Sequence, residues 1–145
     1  MQHIKYSLFI LLLLSTACTN ESSGYVEIAW DRDTCEKCQM LISDQRFAVQ
    51  VRGSPKNTIF LFDDFGCATH WLNEQPWQAS ELWIMDFQSQ TWINAHTAHY
   101  VRHQKTPMDY GFGATAIATE NSLDFETAKK HILSTPVHHR QKLTH

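Results

Sequence analysis

The sequence lacks several features that would assign it quickly to a class of protein. It has no cluster of basic residues: 12 Lys and Arg stand against 15 Asp and Glu, for a formal net charge of −3 with histidine neutral. Because phosphate binding needs concentrated positive charge, we expect no nucleic acid among its partners. No internal repeat or low-complexity segment is present. What remains is a chain of 145 residues, 43% of them hydrophobic, which suits one globular domain.

The N-terminus has the pattern of an export signal. Lys5 precedes a short apolar run at residues 8–14, small residues follow at 15–17, and Cys18 comes next. The run is too short to span a membrane as a helix, which takes about 20 residues. A cysteine directly after small residues resembles a bacterial lipobox, although Ser15 stands where a lipobox usually has leucine. The alternative is an ordinary secreted protein in which Cys18 is incidental.

These features predict the organisation of the chain. We predict that a lipid on Cys18 anchors the protein to a membrane of the cell envelope, facing the periplasm. The polar residues that follow have the composition of a flexible tether. The predicted segments are a signal peptide at 1–17, a tether at 18–24, one domain at 25–136 and a polar, histidine-containing tail at 137–145.

The hydrophobic pattern predicts an α+β domain of β-hairpins and short helices. Period-two alternation at 46–52 predicts one strand, the apolar segment Thr58–Phe62 predicts a second, and the turn between them makes the pair a hairpin. Asp63 and Asp64 favour a helix start, with the helix running over 65–72. Ser122 or Asp124 caps a last helix that runs to residue 133. Further strands are predicted at 25–30, 81–87, 91–95, His99–Val101 and 114–119.

Two thiols and a thioether fall within six residues, at Cys35, Cys38 and Met40. Thiolate and thioether are soft donors that suit Cu(I) among biological metals. A two-residue spacing lets one tight turn aim both cysteine sulfurs at a common point. If Met40 lies on an extended stretch, it shares a side with Cys38. The cluster therefore predicts a Cu(I) site.

Three other interpretations of the cysteine pair stay open. A structural zinc site would need two more ligands, which Cys67 and His70 could supply. A thioredoxin-type redox pair should precede a helix in a βαβ setting, whereas a strand is predicted after this pair. A structural disulfide is possible in an oxidising compartment, but so short a loop would constrain the unfolded chain little.

Further candidate site residues lie downstream. Cys67 falls at the start of a predicted helix, where the dipole stabilises a thiolate, so it is either another metal ligand or a resolving thiol. Asp63 and Asp64 beside it are supporting residues. Met108 lies in an irregular stretch and is either a loop-borne ligand or a gap filler. Apart from Cys18 the chain has three cysteines, so at least one cannot pair internally, which favours metal or redox chemistry.

Five segments carry a resemblance to a known family: Cys38-Gln39-Met40, Arg46-Phe47-Ala48-Val49-Gln50, Phe62-Asp63-Asp64-Phe65-Gly66-Cys67, Ala98-His99-Tyr100-Val101 and Pro107-Met108. In this order they resemble the NosL family of periplasm-facing copper-chaperone lipoproteins. The resemblance implies an α+β fold of two related ββα-type halves and Cu(I) held by Cys38 and Met40. It also implies nitrous oxide reductase as the copper client, although Cys35 and Cys67 are additional to the single cysteine of many members.

The sequence thus predicts a Cu(I) metallochaperone rather than an enzyme. In this hypothesis Cys38 and Met40 are the primary ligands, Cys35 is auxiliary, and Cys67 or Met108 completes the site. The expected partner is a copper-receiving apo-enzyme or its assembly machinery. The alternatives are a thiol–disulfide oxidoreductase that uses Cys35 and Cys38, an organomercurial-type cleavage enzyme, and a zinc-stapled binding module.

Overall fold

A computed structural model of the chain describes residues 23–54 and 56–135. The predicted signal peptide, the predicted lipid site at Cys18 and the predicted tail at 137–145 lie outside these residues. Within the described part, no helix has both the length and the apolar character needed to cross a membrane. The domain is predicted to start at residue 25. Gly24, directly before it, is already bound to the sheet: its N–H donates to Glu81 Oε2 at 2.7 Å and its carbonyl accepts from Arg52.

The larger sheet has four antiparallel strands in the order β2-β1-β3-β4. Its central strand β1 is buried at all of its positions, because β2 and β3 flank it and the chain covers both of its faces. Val49 of β1 pairs with Phe62 on one side and with Ile84 on the other. The strands are β1 (Val49–Gly53), β2 (Thr58–Phe62), β3 (Ala79–Met85) and β4 (Trp92–Asn94).

The chain contains two successive ββα arrangements. In the first, β1 and β2 lead into helix α1 (Phe65–Asn73); in the second, β5 (His99–Val101) and β6 (Gly113–Thr115) pair and lead into helix α2 (Phe125–Ser134). The halves meet through aromatic packing, because the ring of Phe65 lies 4.6 Å from that of Tyr100 and 6.0 Å from that of Phe125. The predicted α+β fold with two ββα-type halves is confirmed.

The two helices begin where side-chain caps satisfy their free N–H groups. Asp64 caps α1 by accepting from the N–H of Gly66, and Asp124 caps α2 by accepting from the N–H of Thr127 at 2.7 Å. Ser122, the other candidate cap of α2, instead bonds to the backbone of Thr119. Both predicted helices are therefore present, each within one residue of its predicted end.

The predicted strand at 25–30 is wrong. This segment is irregular and lies along β1, where the side-chain amide of Gln50 accepts from Val26 N at 2.9 Å and donates to Val26 O at 2.7 Å. Tyr25 stacks near Trp92, with ring centroids 5.7 Å apart. A buried glutamine side chain thus takes the hydrogen bonds that a neighbouring strand would have made, so the alternating pattern did not produce a strand.

Two other predicted strands are shorter than expected. The segment at 46–52 begins as a 3₁₀ turn, Gln45–Phe47, because Asp44 accepts from the N–H of Arg46 and caps it. The strand expected at 114–119 ends at Thr115, since the buried carboxylate of Asp86 accepts from the N–H of Ala116 at 2.8 Å and removes it from strand pairing. The strands expected at 81–87 and 91–95 are present with shifted ends.

Candidate metal centre

A closed loop carries the first two cysteines. The N–H of Cys35 donates to the carbonyl of Met40 at 2.8 Å, and the N–H of Gln39 donates back to the carbonyl of Cys35 at 2.9 Å. Gln39 has a φ of +61°, in the left-handed region that residues other than glycine rarely adopt. Its side-chain amide donates to the carbonyl of Glu36 at 2.8 Å, which helps hold that conformation. The loop is therefore folded back on itself before any metal binds.

The loop is attached to the sheet close to the start of α1. The N–H of Glu36 donates to the carbonyl of Leu61 in β2 at 2.9 Å. One residue after β2 ends, the chain reaches Asp63, and Cys67 follows as the third residue of α1. The strand–helix junction and the loop thus place side chains from two separate segments at one point.

Four side chains converge there. The sulfurs of Cys35, Cys38 and Cys67 and a carboxylate oxygen of Asp63 all lie within 4.8 Å of one another. Three of these residues are buried and Cys38 is half-buried, so Cys38 is the member that solvent reaches. All three cysteines are free thiols. The sequence prediction that Cys67 joins the cysteine pair is matched by this geometry, although its role as a ligand stays a prediction.

The thiol cluster stabilises a negative charge on Cys38. Hydrogen bonds from Cys35 and Cys67 lower the pKa of Cys38 to about 4, against an opposing effect of burial. Hydrogen bonds with Cys35 and Cys38 raise the pKa of Cys67, so Cys67 keeps its proton and acts as a donor. Burial is the main cause that raises the pKa of Asp63 to about 7. The site therefore holds a thiolate on Cys38 next to protonated Cys67 and Asp63 at mildly acidic pH.

The two neighbouring aspartates have different tasks. Asp64 is fully buried and accepts from the N–H of Gly66 and from the N–H of Met108, each at 3.0 Å. It therefore connects the start of α1 to the loop after β5. Asp63 instead faces the thiols, and its Oδ1 is buried with no hydrogen-bond partner among the described residues. An oxygen left in that state is a suitable position for a metal–ligand bond.

The two methionines occupy different surroundings. Met40 is 43% exposed, whereas Met108 is half-buried and packs against the hydrophobic core. The condition under which Met40 would share a side with Cys38 is not met, because Gln39 between them is left-handed rather than extended. The backbone N–H of Met40 hydrogen-bonds to the sulfur of Cys38 and helps to lower its pKa. That Met40 and Met108 are ligands stays a prediction.

His70 is not part of the converging group, in contrast to the zinc interpretation that paired it with Cys67. The group that includes Cys67 takes its oxygen ligand from Asp63. The ring of His70 instead lies 5.5 Å from that of Tyr110. A zinc site here would be Cys₃Asp rather than one built with His70.

Tyr110 was not among the residues predicted from the sequence, and its ring packs against the start of α1 beside the cluster. Its ring covers Gly66 so closely that a Cβ on Gly66 would lie 2.0 Å from Tyr110 Cγ. Burial is the main cause that raises the pKa of Tyr110 to about 12. The available signal was the glycine one residue before Cys67, since glycine in a first helical turn often marks a close approach.

Comparisons with known proteins support the fold. No protein-family model matches the sequence, and no curated protein matches it. Among solved structures, the crystal structure of the copper chaperone NosL from Shewanella denitrificans matches with a TM-score of 0.58 and 16% identity. The chain has the NosL fold.

The NosL match covers 77% of this chain and 88% of the Shewanella protein. It confirms at the level of fold the resemblance seen in the sequence. At this identity the likeness concerns architecture, and the metal chemistry depends on the residues of this chain. Those residues are three thiols and a carboxylate that could hold a metal ion.

Proposed function

We propose that this protein is a metallochaperone that binds Cu(I) outside the cytoplasm and passes it to a copper-receiving protein. The observation that carries the proposal is the convergence of three free thiols within 4.8 Å. Thiolates are soft, polarisable ligands that suit Cu(I). The fold shared with a copper chaperone supports the same conclusion.

The geometry of the cluster fits a metal that is carried and then released. Cys35 and Cys67 are buried, so they would shield the ion from water, while Cys38 is half-buried and stays accessible. A partner's donor would then replace one ligand at a time, beginning at Cys38. Because Cu(I) needs deprotonated thiols, loading releases protons, and the low pKa of Cys38 makes that sulfur the first to bind. This transfer requires no catalytic acid or base.

The proposal includes a location and a client. Cys18 would carry a lipid that holds the domain at a membrane facing the periplasm, on the strength of the signal-like segment before it. The client would be an extracytoplasmic copper enzyme or its assembly machinery. Nitrous oxide reductase is the candidate that the sequence resemblance to NosL supplies.

Zinc is the second candidate, and Asp63 is the observation that favours it. Zn²⁺ in structural sites is four-coordinate and accepts cysteine sulfur and carboxylate oxygen, which the Cys₃Asp group offers. In that case the metal would stabilise the fold instead of leaving it, and a chelator would unfold the domain. A thiol–disulfide oxidoreductase is the remaining alternative, because a thiolate with a pKa of about 4 is also a property of redox-active cysteines.

A competition titration tests the function. The reduced full chain is titrated under anaerobic conditions with Cu(I) against a chromogenic Cu(I) chelator, and in parallel with Zn²⁺ against a zinc chelator. We expect one Cu(I) per chain, an affinity that falls by about a hundredfold or more in Cys38→Ser and Cys67→Ser, and no unfolding when the metal is removed.

Cys18→Ser is the matched control, since it removes a cysteine that the proposal places outside the cluster. Its Cu(I) affinity should equal that of the original chain. Unchanged Cu(I) affinity in Cys38→Ser and Cys67→Ser would contradict the proposal. Tight Zn²⁺ binding together with unfolding on chelation would replace it with the zinc-stapled module.

A further inference from the structure

An open cleft adjoins the metal centre on the side of Asp63. Its volume is about 500 Å³. One wall is the segment that continues from the cysteine loop, including Met40, Leu41 and Ser43, and the other is the segment at Lys105 and Pro107. Asp63, one of the four converging residues, also lines the cleft. The cleft therefore reaches the group that would hold the metal at its carboxylate member, Asp63.

Two adjacent apolar side chains line this cleft while facing solvent. Met40 is 43% exposed and Leu41 is 53% exposed. A single exposed apolar residue needs no explanation, but neighbouring ones beside a functional site are a feature of protein-binding surfaces. They would contribute nothing to the capture of a small hydrophilic chelator. Their position favours a protein as the molecule that approaches this side of the metal centre.

Both walls of the cleft are held in place by hydrogen bonds. The cysteine loop is closed between Cys35 and Met40, as described above, and Thr34 bridges to Leu41 directly beyond it. On the other side, the N–H of Asp109 donates to the carbonyl of Thr106 at 3.1 Å in a turn. A surface formed in advance binds with a smaller loss of conformational entropy than one that must be ordered.

We propose that this cleft is the docking and metal-transfer surface, and that its occupant is a protein that inserts a cysteine, methionine or histidine side chain beside Asp63. This inference rests on the proposed function and adds the route by which the metal leaves. A bond from Cu(I) to the partner's donor forms as the bond to Cys38 breaks, and copper stays in the +1 state. When the donor is a thiol, its proton is released to water as the new copper–sulfur bond forms, and the sulfur of Cys38 leaves as a thiolate.

Transfer kinetics test the route. The full chain is loaded with Cu(I) and mixed with bicinchoninate, or with a soluble Cu(I)-binding protein whose ligands lie on an exposed Cys-x-x-Cys loop. Ser43→Trp fills the cleft from its wall. Leu41→Asp places a charge on the apolar rim, and Ile117→Asp is its matched control, because Ile117 is 66% exposed and does not line the cleft. Ile117→Trp controls for the bulk of Ser43→Trp.

The expected results distinguish the entry of any acceptor into the cleft from the docking of a protein on its apolar rim. Ser43→Trp should slow transfer to both acceptors by about tenfold, whereas Leu41→Asp should slow transfer to the protein acceptor alone by about fivefold. Cu(I) affinity at equilibrium should stay unchanged in every variant. Rates in the cleft variants that equal those of the Ile117 controls would overturn the inference, with the proposed function intact. Failure of the original chain to hold Cu(I) would overturn both.

Discussion

The sulfur of Cys38 lies 3.3 Å from Oδ2 of Asp63, close enough for the two to share a proton. The pKa of Cys38 is lowered to about 4 by hydrogen bonds from the other two thiols, while burial raises that of Asp63 to about 7. Between about pH 4 and pH 7 the proton therefore resides on the carboxyl group and the negative charge on the sulfur. Since the thiolate and not the thiol is the metal ligand, the accessible cysteine is ready to bind before the metal arrives.

The first prediction concerns the reactivity of Cys38 toward iodoacetamide in the metal-free, reduced chain. An ordinary cysteine thiol, with a pKa near 8.5, reacts about tenfold more slowly for each pH unit below that value. Cys38 should instead react at a constant rate from pH 8 down to about pH 5, because its pKa is lowered to about 4. Mass spectrometry of the digested chain measures the rate at each cysteine separately.

Cys35 and Cys67 are the internal controls for this measurement. Both are buried, so they should stay unmodified as long as the domain is folded. A rate at Cys38 that falls steadily from pH 8 downward would contradict the assigned thiolate.

The second prediction concerns Asp64, which connects α1 to the loop that contains Met108. Asp64→Ala removes both the helix cap and the bond to the N–H of Met108. We expect the free energy of unfolding to fall by about 2 to 4 kcal/mol, the sum of a lost cap and a buried N–H group left without a partner. Urea denaturation followed by tryptophan fluorescence measures the change.

Asp124→Ala is the matched control for Asp64, since Asp124 caps the other helix from an exposed position. Its effect should be clearly smaller than that of Asp64→Ala. Equal losses in the two variants would show that Asp64 acts as a helix cap alone, without the connection to the second half.

The third prediction concerns the pH dependence of stability contributed by Asp86. This carboxylate is buried and accepts from the backbone N–H groups of Gln88, Ser89 and Ala116 and from the hydroxyl of Thr115. Burial opposes its ionisation, but the four hydrogen bonds together lower its pKa below the ordinary value. Asp86→Asn should reduce the free energy of unfolding at pH 7 by about 2 kcal/mol, because an amide N–H₂ would face backbone donors.

The sign of the pH effect follows from the lowered pKa of Asp86. A carboxylate with a lowered pKa in the folded state stabilises the fold above its unfolded pKa of about 3.9 and loses that contribution as the pH falls through the folded value. The difference between the original chain and Asp86→Asn should therefore be constant above about pH 5 and shrink below pH 4. A difference that grows on acidification would contradict the assignment.

The fourth prediction concerns membrane attachment. The original chain expressed in a bacterial host should fractionate with membranes, and Cys18→Ser should release it into the soluble fraction, because a lipid on that thiol is its proposed anchor. Metabolic labelling with a fatty acid analogue should mark the original chain and not the variant. Ser22→Ala, which changes a residue of the predicted tether, should stay membrane-bound. Membrane association of Cys18→Ser would contradict lipidation at this residue.

Local sequence patterns predicted the hairpin and both helices well. The strand Thr58–Phe62 has the predicted bounds, and α1 and α2 follow the capping aspartates. The strand expected at 25–30 failed because Gln50, distant in sequence, takes its hydrogen bonds with Val26. Hydrophobic alternation identifies a segment that could pair, but it does not show whether a neighbouring strand is available.

The sequence predicted which residues form the candidate site better than it predicted how they are arranged. Soft-donor chemistry singled out Cys35, Cys38 and Met40, and a place at a helix start singled out Cys67. The fold brings the three cysteines together. That Asp63 faces the thiols could not be predicted, because it depends on contact with the cysteine loop, which lies about 25 residues earlier in the chain.

The central claim is that the thiols of this cluster hold Cu(I). X-ray absorption spectroscopy of the full chain, loaded with one equivalent of copper under reducing conditions, measures the ligand shell directly. The account predicts a Cu(I) edge with two or three sulfur scatterers, and a loss of one scatterer in Cys67→Ser. A shell made only of nitrogen and oxygen, or a sulfur count that does not change in Cys67→Ser, would contradict it.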